Sequence, residues 1–99
     1  MNNQKPFAKL LIEDFIKQRF NDDYNKALME AQKLMAMAGI PYTKSNIAME
    51  FTHMLNEHSY TKGQRYEFYN KELYSEFMQM LKAKPIPMSL LQTFYLAKD

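Results

Sequence analysis

The chain carries no valine and only two glycines among its 99 residues, and these shortages constrain its fold more than anything it contains. Valine and its β-branched relatives suit a sheet because a stiff χ1 packs well on a pleated surface, and glycine supplies the positive φ of tight hairpins. Nine Met stand in the sequence instead, beside many Leu, Ala, Lys, Glu and Gln, side chains that lose little freedom in a helix. The expectation is an all-α fold, a small four-helix bundle-like domain with a short fifth C-terminal helix, spanning residues 1–99 as one unit. A chain of this length buries about two-thirds of its unfolded surface, enough for one modest core.

Periodicity and stop signals place the helices. Pro6 suits a first helical position, where its missing N–H has no partner to lose, so a first helix is expected over about 6–20. Phe7, Ala8, Leu11 and Phe15 gather on one side of it and Ile12, Ile16 and Phe20 continue around, leaving Glu13, Asp14 and Lys17 wet. Asn21, Asp22 and Asp23 make a turn that ends in a capping carboxylate. Tyr24, Ala27, Leu28, Ala31, Leu34, Met35 and Ala38 then repeat at the helical period over 23–38. Gly39 fits the left-handed position past a helix, Ile40 can fold back on Met35, and Pro41 forbids continuation.

Thr43 or Ser45 can cap a third helix over about 45–58, with Ile47, Phe51, Met54, Leu55 and His58 inward. Thr61-Lys-Gly-Gln64 matches a capping box and predicts a fourth helix over 62–83, carrying Tyr66, Tyr69, Leu73, Phe77, Met80 and Leu81. Pro85 and Pro87 end it. Ser89 can open a fifth helix over 89–97 with Leu90, Leu91, Phe94 and Tyr95. The expected core is Leu11, Phe15, Leu28, Ala31, Leu34, Met35, Ile47, Phe51, Leu55, Leu73 and Phe77.

Several chemistries are excluded or weakened at once. With no cysteine, disulfides, thiolate metal sites and cysteine nucleophiles are gone. The longest apolar run, Leu34–Ile40, is far too short to span a bilayer, and MNNQKPFAKLLIEDF lacks the basic-then-apolar order of a secretion signal, so a cytoplasmic protein without a membrane partner is expected. Thirteen basic and eleven acidic residues are interleaved along the chain, so no strong field points at nucleic acid or anionic lipid.

Glu50 and His53, three apart on a helix, make half of a di-iron carboxylate motif. The second Glu-x-x-His and the further carboxylates are missing, and a solvated pair is the simpler reading; neither metal nor cofactor is expected. Ser45, Ser59, Ser75 and Ser89 fall at caps or mid-helix with no relay beside them, and Gly39 and Gly63 are too isolated to cradle a phosphate. No catalytic residue is assigned, and the chain is expected not to be an enzyme.

Two binding readings remain. The second helix, the Gly39 turn and the third helix outline a helix-turn-helix, in which Lys44, Ser45, Asn46 and Met49 would face bases while Lys62 and Arg65 touch phosphates. Ile47, however, lies further from Gly39 than the buried β-branched residue of repressor-type motifs lies from its turn glycine. The other reading starts from seven Tyr, seven Phe and nine Met, more than one small core uses. Helical spacing leaves Met29, Met37, Met49, Phe68 and Met78 off the inward stripes, and Met and aromatic side chains outside a core are characteristic of adaptable protein-binding surfaces.

Two families share short patterns with this chain. Arg65-Tyr66, Tyr69 and Glu72-Leu73, in a long aromatic-rich helix, resemble enterocin-type bacteriocin immunity proteins, which are four-helix bundles. Thr43-Lys-Ser-Asn-Ile47 and Leu55, with Tyr69-Asn70 and Leu73, are similar to the small biofilm-associated connector proteins of enteric bacteria, helical dimers that act by protein contact. Both resemblances imply binding without catalysis, and neither transfers a residue role. The leading expectation is a non-catalytic bacterial or phage protein-interaction module, an inhibitor, immunity factor or adaptor. It would dock Phe68, Tyr74, Met78, Met29 and Met37 on another protein or on a second copy of itself as a homodimer. The alternative is the DNA-binding regulator reading through the third helix.

Overall fold

The structure, a computed structural model, describes residues 7–61, 70–84 and 86. Every regular element among them is helical: α1 (Phe7–Phe20), α2 (Tyr24–Ala38), α3 (Lys44–Thr61) and α4 (Asn70–Ala83). None of these is long and apolar enough to cross a membrane. The expected fifth helix over 89–97, and the expected opening of the fourth over 62–69, lie outside the described residues.

The joints follow local chemistry. Between α1 and α2 the chain reverses through Asn21 (φ 55°) and Asp22 (φ 63°), two residue types that tolerate the left-handed region because their short polar side chains bond locally. Asp22 N–H closes this turn onto the Ile16 carbonyl at 3.1 Å. Asp23 caps α2, its carboxylate accepting from the N–H groups of Asn25 and Lys26. At the far end Gly39 sits at φ 71° and Ile40 N–H returns to the Met35 carbonyl at 2.9 Å, the closure expected from the Gly-Ile-Pro run. Thr43 supplies the cap of α3, its Oγ1 accepting from Asn46 N–H at 3.1 Å while its carbonyl takes Ile47 N–H.

α3 is the central helix and touches all three others. Ile47, Ala48, Phe51, Met54 and Leu55 are buried, and so are Thr52 and Ser59; the Thr52 hydroxyl stays satisfied by donating to the Ala48 carbonyl at 2.8 Å. Because the stripe through Phe51 and Leu55 continues to the buried Ser59, α3 runs to Thr61 rather than stopping near His58. The capping box expected over Thr61-Lys-Gly-Gln64 runs into residues 62–64, which lie outside the described residues. α4 packs antiparallel on α3: Phe51 meets Phe77 with ring centroids 5.2 Å apart, while Thr52 and His53 lie beside Lys71 and Tyr74.

Phe15 ties α1 to this centre, its ring edge-on to Phe20 of its own helix at 5.5 Å and to His58 of α3 at 5.6 Å. The buried arc of α1 is Ala8, Ile12, Phe15, Ile16 and Phe20, narrower than the broad arc expected. Phe7 is exposed and Leu11 only half-buried, because at about 100° per residue both fall past the edge of that arc. Leu34 is likewise half-buried; both Leu11 and Leu34 pack against the rim of the core. The other nine residues expected in the core are buried.

Candidate functional site

The residues expected to contact a partner separate into two places, with one outside the described residues. Met29 and Met37 stand on α2 and are 56% and 77% exposed. Helical geometry sets Lys33 and Lys26 between them, so the four side chains occupy about 80° of arc, two thioethers bracketing two ammonium groups. Both lysines are exposed, and Ile40, just past the helix, adds further open apolar surface. The opposite side of α2, with Ala27, Leu28, Ala31, Gln32 and Met35, is buried. The outer face thus combines adaptable apolar groups with positive charge and has no structural duty in the core.

Tyr74 and Met78 are half-buried and pack against the core, which corrects the expectation of a freely exposed patch on the fourth helix. They flank the buried Leu73 and Phe77, and the width of the α3–α4 contact carries cover out to those flanks. Phe68 lies outside the described residues. Beside Tyr74 the structure opens a groove of about 360 Å³ walled by Met49, Thr52, His53, Lys71 and Tyr74. Sequence reasoning did not foresee it, although Met49 and Tyr74 each sit just off an inward stripe, and that is the signal that could have found it. A second cleft of about 330 Å³ separates α1 from α4, where Lys9, Glu13, Glu76 and Lys84 alternate in sign around Ile12 and Met80.

Two of the residues expected to read DNA have another duty, in the turn before α3. Lys44, Ser45 and Asn46 are half-buried at the start of α3. The Asn46 amide donates to the Pro41 carbonyl at 2.9 Å, and Ser45 Oγ lies 3.1 Å from Thr43 Oγ1, so both polar side chains hold the turn. The outward arc of α3 carries Met49, Glu50, His53 and Glu57; two carboxylates there repel a phosphate backbone, and no lysine on that arc offsets them. Lys62 and Arg65 lie outside the described residues.

Among the described residues no three His, Asp or Glu side chains converge as metal ligands. Among the described residues two phenols are perturbed. Burial pushes Tyr24 up to about 12, helped by the neighbouring Tyr42, and burial alone raises Tyr42 to about 12. Lys84 Nζ stands 4.9 Å over the Tyr24 ring, a cation–π contact that fastens the end of α4 to the start of α2. Neither phenol is poised for proton transfer near neutral pH.

Comparison of the chain with protein-family models, with curated proteins and with solved structures finds no match. The two resemblances in the sequence therefore assign no role here, and a functional reading has to come from the surface itself.

Proposed function

We propose that this chain is a small non-catalytic protein-interaction module, of the inhibitor, immunity-factor or adaptor kind, that docks through the outer face of α2. The observation that carries the reading is the exposure of Met29 and Met37 on one stripe with Lys26 and Lys33. Unbranched thioethers repack against many shapes, so a Met-bearing face suits protein recognition, and the lysines favour a partner whose apolar patch is rimmed by carboxylates. Tyr74 and Met78 contribute mainly to the core in this reading. The capping duties of Ser45 and Asn46 and the carboxylates on α3 favour it over duplex binding.

The test is the double variant Met29→Glu/Met37→Glu, expressed where the protein is made and compared with wild type by native mass measurement of its assemblies. Helicity is expected to stay at the wild-type level, because both positions point to solvent, while the mass of the assembly falls to that of the lone chain. An assembly unchanged by the double variant would refute the assignment of this face.

A further inference from the structure

The outer face of α2 carries a pattern that names its occupant. Lys26, Glu30, Lys33 and Met37 are spaced alternately four and three apart, the rhythm by which one helix meets another along a seam. They occupy about 60° of arc, on the side away from the buried Leu28, Ala31, Gln32 and Met35. Lys26, Lys33 and Met37 are exposed and Glu30 is half-buried. We propose that this seam receives the same seam of a second copy of the chain, the two α2 helices lying antiparallel about a two-fold axis midway between residues 30 and 33. The inference rests on the α2 reading and adds to it the identity of what covers the face.

Charge decides both the occupant and the orientation. In such an antiparallel pair, residues equally far from the midpoint on opposite sides come level, so Glu30 stands across from Lys33 of the second copy and Lys33 across from its Glu30. The two pairs are related by the axis, as an isologous contact requires. Lys26 comes level with the second copy's Met37, where its apolar stem lies along the thioether while the ammonium stays in water. The two Met29 side chains reach the same edge of the seam from opposite directions, about 8 Å apart along the axis. Turned parallel, the same helices would set Glu30 on Glu30 and Lys33 on Lys33, like charges at every charged level. The face is therefore complementary to itself in the antiparallel orientation alone.

The contact is small. α2 has 15 residues, about 22 Å of helix, and one such pair buries less than the roughly 1,200 Å² at which standard interfaces begin. The dimer is accordingly weak and forms as concentration rises, and the charged pairs select its register more than they supply affinity.

The experiment is sedimentation velocity on the full chain from about 10 µM to about 1 mM, a span that covers weak association. Wild type is expected to pass from monomer to dimer across it. Glu30→Lys and Lys33→Glu each set two like-charged pairs across the seam and are each expected to weaken dimerisation by about tenfold or more. Exchanging the charges in Glu30→Lys/Lys33→Glu is expected to restore it. An equimolar mixture of the two single variants is expected to dimerise as well, because opposite charges then meet only between unlike molecules, a rescue that no repair within one helix produces. A wild-type chain that stays monomeric throughout would overturn the self-pairing and leave the α2 face to a different protein. A dimer that survives both single variants would overturn it too. Met29→Glu/Met37→Glu then separates the causes: loss of that dimer keeps the face and rejects the register, whereas its survival refutes the face as well.

Discussion

Truncating Phe77 and truncating Met37 to alanine both remove apolar side chain, and the structure assigns them opposite consequences. Phe77 is fully buried, its ring 5.2 Å from Phe51 in the most extensive helix–helix contact of the fold. Phe77→Ala loses the transfer free energy of the ring and leaves a cavity, together about 3–5 kcal/mol. A domain of this size has a net stability of about 5–15 kcal/mol, so the variant is left marginal. Met37 is 77% exposed; with full burial of such a side chain giving about 1.5–3 kcal/mol, the covered quarter contributes less than about 0.7 kcal/mol. The higher helix propensity of alanine offsets part of that. Urea unfolding followed by far-ultraviolet circular dichroism, at two protein concentrations, reads both. Phe77→Ala is expected to lower the midpoint by on the order of 2 M and Met37→Ala by less than about 0.5 M. A loss above about 2 kcal/mol for Met37→Ala, independent of concentration, would mean that this thioether is covered within a single molecule. The reasoning about the α2 face would then fail.

Asp23→Ala removes the carboxylate that accepts from Asn25 and Lys26 N–H and is expected to cost about 1 kcal/mol in the same urea assay. Gly39→Ala meets no atom within 4 Å of the added Cβ, so its cost is that of holding φ at 71° alone, about 1 kcal/mol, and Gly39→Asn is expected to cost less. Phenolate absorbance on alkaline titration should find Tyr24 and Tyr42 ionising near 12 rather than at the ordinary 10.0. Because the folded chain holds these protons more tightly than the unfolded one, their contribution is complete below about pH 10 and is lost as the pH rises towards 12. Titration of both at the ordinary value would contradict their burial.

The legible parts of this fold are those where one local rule decides. The ends of α2 were readable because Asp23, Gly39 and Pro41 each permit little else at a helix terminus. The core stripes of α3 and α4 were readable because Ile47, Phe51 and Leu55, and Leu73 and Phe77, repeat without interruption. Periodicity says which side of a helix is apolar but not how many neighbours cover it. Phe7 and Leu11 therefore looked as inward as Phe15, although α1 is covered over a narrower arc, and Tyr74 and Met78 looked outward although α3 reaches their flank. Ser59 hid the continuation of α3 past His58, since a buried serine inside an apolar stripe reads as its end. The candidate surface was half legible for the same reason. Met29 and Met37 lie far from the inward stripe of α2 and could only be exposed, whereas the α3–α4 groove belongs to two helices at once, and Met49 and Tyr74, each just off an inward stripe, point to it only once the two helices are paired.

Site-specific photo-crosslinking from position 37 tests most directly whether the α2 face meets another protein. A photoreactive amino acid at Met37, with Lys17 on the exposed side of α1 as the control position, is activated in the cell that makes the protein. The prediction is one discrete adduct from position 37 that is missing from position 17 and disappears with Met29→Glu. Identical patterns from both positions, or no adduct from position 37, would contradict it.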